Sequence, residues 1–92
     1  MDKDRVCYTV RVHGRVQGVG FRYSTRAKAE QFGVAGWVRN EPDGTVSVKC
    51  EGPSEAVQRF LAYLKQGPPT AEVTSTEVSA ATPEGRGRFS VR

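Results

Sequence analysis

Ninety-two residues, 37% hydrophobic and 26% charged, are enough for one domain (residues 1–92) with a single core that needs no metal or disulfide staple. No apolar run approaches the roughly 18–20 residues that span a bilayer, and "MDKDRVCYTV" lacks a signal-type hydrophobic region, so the expected setting is cytoplasmic. Fourteen Lys and Arg against ten Asp and Glu leave a net charge of +4 that favours an anionic partner, while two cysteines without CxxC spacing and one histidine exclude a disulfide scaffold and a zinc ligand set.

The first predicted element is a strand. Val6, Tyr8, Val10 and Val12 alternate with Arg5, Cys7, Thr9, Arg11 and His13, so one face is buried and His13 is a solvated strand-end residue. The stretch "GRVQGVGFR" follows, with three glycines and two arginines in nine residues. Gly18 and Gly20 open backbone conformations closed to other residues and let a ligand approach the main chain, and the flanking arginines make that ligand an anion. From Phe21 to Phe32 glycine and proline are absent, which predicts a helix with Phe21, Thr25, Ala29 and Phe32 on one stripe and Gly33 as its stop. Val34 to Arg39 reads as a second strand, Pro42-Asp43-Gly44 as a turn, and Thr45 to Cys50 as a third strand with Val46, Val48 and Cys50 on one face. After Gly52, Pro53 suits a helix's first turn; Val57, Phe60, Leu61 and Leu64 form the apolar stripe and Gly67-Pro68-Pro69 ends it. Glu72 to Val78 is a fourth strand. Its valines, Val73 and Val78, are an odd number apart, which predicts a bulge or an exposed edge. Pro83 to Gly87 is a loop, and Phe89 to Val91 a short C-terminal strand.

The order β-α-β-β-α-β predicts an α+β fold, the ferredoxin-like α/β sandwich, with two helices on one face of an antiparallel sheet. The first two strands run parallel with the third between them, and a right-handed crossover brings the glycine loop and Asn40 to one rim. The open face of the first and third strands would carry Cys7, Thr9, Arg11, Ser47, Lys49 and Glu51, without an aromatic on which RNA bases could stack, so no nucleic-acid partner is expected. Trp37 and Phe60 read as packing residues or partly exposed aromatics, with no role in a site. Cys7 on the open face and Cys50 on the buried one point apart, which predicts two free thiols with Cys50 the less reactive.

N–H groups of a glycine-bearing turn converge on an anion, and a helix N-terminus adds its positive end. Arg22, in the first helical turn, leans back and can curl over the loop to pair bidentately with a phosphate or carboxylate. The dinucleotide pattern would need glycine at Tyr23, and a Walker loop would need Lys-Ser/Thr where Phe21-Arg22 stand.

"GRVQGVGFR" together with "GWVRNEPDGTVSV" resembles the acylphosphatase family of small ferredoxin-like enzymes, a likeness that runs from the first strand to the terminal "RFSVR". The resemblance implies hydrolysis of acyl phosphates to a carboxylate and inorganic phosphate. With no metal-ligand set and no membrane-spanning run in the chain, the expected enzyme is metal-independent and cofactor-free, a monomer with no membrane partner. It implies that Arg15, Val16, Gln17, Gly18, Val19, Gly20, Phe21 and Arg22 hold the substrate phosphate, largely through backbone amides, and that Arg22 and Asn40 are catalytic, Asn40 by orienting water. Inorganic phosphate would then be product and competitive inhibitor. Carbamoyl-phosphate handling, as in the acylphosphatase-like domain of hydrogenase maturation factors, is the rival reading; those chains are much longer.

Overall fold

Residues 4–92 are described by a computed structural model of the chain. Its elements are β1 (Arg5–Arg15), α1 (Phe21–Phe32), β2 (Ala35–Asn40), β3 (Val46–Pro53), α2 (Ser54–Gln66), β4 (Glu72–Ala80) and β5 (Phe89–Val91). Alternation in the strands sets the core. Val10 stands opposite Val48, Val12 opposite Val46, and Val38 also opposite Val48, and all five valines are buried. Phe21 and Ala29 of α1 and Val57, Phe60 and Leu64 of α2 close over that face, and Phe60 meets Phe89 edge-on at 5.7 Å. Each of the valine, leucine and phenylalanine side chains contributes on the order of 1.5–3 kcal/mol by leaving water. Phe32 and Leu61, at the margins of the two predicted stripes, are only partly buried.

The strand order is β4-β1-β3-β2-β5. All pairs are antiparallel except β2 with β5, and β1 runs parallel to β2 with β3 between them, as the split βαβ order requires. The ends of β1 and β2 therefore share a rim. Both expectations for β4 hold. His13 pairs with Ser75 but Gly14 with Val73, so Thr74 is the bulged residue, and β4 is an edge. The bulge returns Val73 to the core face, while Val78 stays 45% exposed.

The open face departs from expectation at one end. With β4 and β5 on opposite edges, residues 81–88 must cross the sheet, and they do so away from the loop rim. Ala81 N–H donates to Cys7 O, Glu84 and Gly85 N–H donate to the Glu51 carboxylate, Lys49 pairs with Glu84, and Gly36 N–H donates to Arg88 O. Cys7 and Glu51, expected to be exposed, are thus 3% and 1% exposed. Parity gave them the correct face, and the crossing segment buried it. The open face also gains an aromatic from β2: Trp37, opposite Lys49 and half-buried, carries the guanidiniums of Arg39 and Arg92 at 4.8 and 4.9 Å from its ring centre.

Candidate active site

The loop between β1 and α1 starts two residues later than predicted, because Gly14 and Arg15 still pair with Val73 and Glu72 at the end of β1, where Arg15 is exposed. Val16 is 1% exposed and packs in the core, pinning the loop from below. Gly18 and Gly20 then take φ of 75° and 77°, where a β-carbon would cost about 1–2 kcal/mol. A Cβ at either would meet nothing within 4 Å, so the backbone is open on that side.

Gly20 stands at the N-terminal boundary of α1, and its carbonyl accepts from Ser24 N–H. No side chain caps this helix start, and its first turn holds no acidic residue. Helix starts leave their first N–H groups without intrahelical partners, and the macrodipole makes this end positive. Here both properties face the glycine bend. Phe21, the first helical residue, sends its ring into the core, so its contribution to the site is its backbone.

The loop is held from two sides. Thr70, between α2 and β4, donates its hydroxyl to Val19 O at 2.7 Å. On the other side, the Gln17 Nε2 donates to Glu41 O at 2.8 Å and Thr45 O at 2.9 Å. Sequence patterning had no signal for Thr70, and Gln17 was expected to act through its amide alone.

Asn40 closes β2 opposite Val46, with its side chain exposed on the rim. The turn after it is rigidly built. Glu41 N–H donates to Thr45 O at 2.8 Å and Gly44 N–H to Glu41 O at 3.1 Å, while Thr45 N–H and Oγ1 both donate to Asp43 Oδ1, at 3.0 and 2.6 Å. The Thr45 hydroxyl and amide hold the Asp43 carboxyl below its usual range, and the Arg39 guanidinium does the same for Glu41. Arg22 is half-buried, and its Nη1 donates to the main-chain oxygen of Arg92 at 2.8 Å, while Arg92 N–H donates to Val38 O at 2.8 Å. The guanidinium is therefore anchored beside the end of β2 rather than simply folded back over the glycines. The loop, Arg22 and Asn40 lie on one rim. Arg15 stands at its strand side, and His13 is apart, paired with Glu77 at 3.1 Å.

Fold and site define a class: a small ferredoxin-like sandwich whose first strand–helix junction is a glycine-bent loop set before an uncapped helix start. The acylphosphatase family model matches residues 8–91, and the chain belongs to the acylphosphatase family. An acylphosphatase of Thermococcus kodakarensis is 51% identical over 87 residues, covering 95% of this chain and 96% of that one. Among solved structures, acylphosphatase from Bacillus subtilis superposes with a TM-score of 0.91 at 43% identity, covering 95% of this chain and 98% of that one. One from Coxiella burnetii does so with a TM-score of 0.94 at 36% identity, covering 99% and 96%.

Proposed function

We propose that this acylphosphatase-family chain hydrolyses small-molecule acyl phosphates by positioning and charge stabilisation alone, acting as one domain and as a monomer. The observation that carries the reading is the uncapped, acid-free start of α1 behind the Gly18–Gly20 bend, on the rim that also holds Arg22 and Asn40. The phosphoryl oxygens accept from the N–H groups of residues 17–21 and from the Arg22 fork, with Arg15 adding charge from the strand end. These groups meet the charge that develops in phosphoryl transfer.

Asn40 is a neutral amide and cannot take a proton. Its carbonyl accepts from a water O–H and its NH2 donates, which aims the water's lone pair in line with phosphorus. The new P–O bond forms to water, the P–O bond to the acyl oxygen breaks, and the carboxylate leaves with the bonding pair. The water's proton passes to a phosphate oxygen. A carboxylate is a good leaving group, so no strong base or general acid is required. The chain has one histidine, and among the described residues no group of three His, Cys, Asp or Glu is placed to hold a metal.

The test is hydrolysis of benzoyl phosphate in the presence of a chelator, beside 4-nitrophenyl phosphate. Release of benzoate with the monoester left intact is expected. Activity lost to the chelator and restored by a divalent ion would overturn the mechanism.

A further inference from the structure

The anion loop and the Asn40 turn come from different parts of the chain, yet one side chain joins them. Both N–H donors of the Gln17 carboxamide are used, one on Glu41 O and one on Thr45 O. The orientation of the amide follows from its acceptors, since a flipped Gln17 would set its own oxygen against two carbonyls. Those carbonyls are the two ends of the turn, and each also accepts from within it, Glu41 O from Gly44 N–H and Thr45 O from Glu41 N–H. Glu41 directly follows Asn40, and Thr45 precedes Val46, the residue paired with Asn40. Gln17 therefore clamps the backbone one residue beyond Asn40 on both strands, from a Cα that belongs to the anion loop.

We infer that the Gln17 side chain is a positioning residue that sets the distance between the phosphate held by the loop and the water held by Asn40. This rests on the proposed function above. Main-chain amides bind the phosphate whether or not the clamp is made, so its loss should misplace the water without loosening the anion. A displacement of about 1 Å in such a group is enough for a large loss of rate.

Gln17→Met keeps the length and packing of the side chain and removes both donors. Its kcat on benzoyl phosphate should fall about tenfold or more, while the inhibition constant of inorganic phosphate stays within about twofold. In an Asn40→Ala background the same substitution should lower kcat by no more than about twofold, because the group it positions is gone. Gln17→Glu, which cannot donate and adds charge against two carbonyls, should lose at least as much and serves if the methionine variant folds poorly. Amide exchange at Glu41 and Gly44 should quicken in Gln17→Met while the β1–β3 ladder stays protected. The inference is overturned by an unchanged kcat, by a phosphate constant that worsens as much as kcat, or by a full additional loss on top of Asn40→Ala. An inactive wild-type protein would instead sink the proposed function, and the exchange readout would still decide the clamp, with unchanged Glu41 and Gly44 protection counting against it.

Discussion

Arg22 reaches Arg92 O with one end of its guanidinium, which fixes the plane in which the rest of the fork is presented. A lysine has no such plane. Arg22→Ala is expected to lower kcat/KM by about 10²–10³-fold, and Arg22→Lys to recover little of it, since one ammonium cannot both reach that oxygen and make a bidentate pair. Asn40→Ala should lower kcat by about 10²-fold with a phosphate inhibition constant nearly unchanged, because water placement matters chiefly in the transition state. Steady-state kinetics with phosphate inhibition checks all three variants, and an Asn40→Ala enzyme with intact kcat and weakened phosphate binding would reverse the roles. The cysteines make a second residue-scale prediction. Tyr8 stands opposite Cys50 and Cys7 opposite Glu51, so the two thiols lie on opposite faces, and both are free. Burial, with the nearby Cys7, pushes the Cys50 thiol up to about 12, and burial also raises Cys7. Without reductant, two thiols should titrate after denaturation; in the native protein both should react slowly, Cys50 more so. A native Cys7 as fast as a free thiol would mean that residues 81–88 do not cover it.

Residues 81–88 show how an element without regular structure is held. Glu51 lies under them, 1% exposed, accepting from the amides of Glu84 and Gly85 and from Arg5 at 3.4 Å. Burial alone would raise its pKa, but the amides of Glu84 and Gly85, the Arg5 guanidinium and the Arg86 amide outweigh it and leave the carboxyl below its usual range. A carboxyl depressed by folding contributes stability above its unfolded pKa, and that stability is lost as pH falls through the lower folded value. Glu51→Gln should therefore melt below wild type at pH 7, and the gap should close as pH falls below about 4. Thermal denaturation between pH 7 and about pH 2.5 checks this; a gap independent of pH would remove Glu51 as the staple. Of these contacts only the face of Glu51 was legible in its strand's alternation. The loop reading of Pro83 to Gly87 was correct, but composition does not say what a loop lies on.

The site is part of the whole fold: its groups come from the ends of β1, β2 and β5, the start of α1 and two further turns. An anion that binds there only in the folded state must stabilise the entire domain. Inorganic phosphate at a hundredfold excess over its dissociation constant should add about 2.7 kcal/mol, which for a domain of this size raises Tm by more than about 10 °C. Sodium chloride at equal ionic strength should not reproduce the shift, and Arg22→Ala should lose most of it. Calorimetry with phosphate and chloride decides the matter. An equal rise with both salts would mean that phosphate only screens the +4 net charge.

Periodicity in the chain determined the seven elements to within a few residues, the core face of Val6, Val10, Val12, Val46, Val48 and Val57, the edge and bulge of β4, and the meeting of the loop with Asn40 on one rim. Those are local properties. Alternation and the 3.6-residue repeat act between near neighbours, and the handedness of the crossover follows from strand twist. The tertiary structure alone decided which residues hold the site in place. Gln17 reaches carbonyls 24 and 28 residues away, Thr70 a carbonyl 51 away, and Arg22 a main-chain oxygen 70 away. It also decided that Cys7 and Glu51 are buried. Each of these contacts depends on a chain reversal far off in sequence, so no window that reads a segment by itself contains the partner.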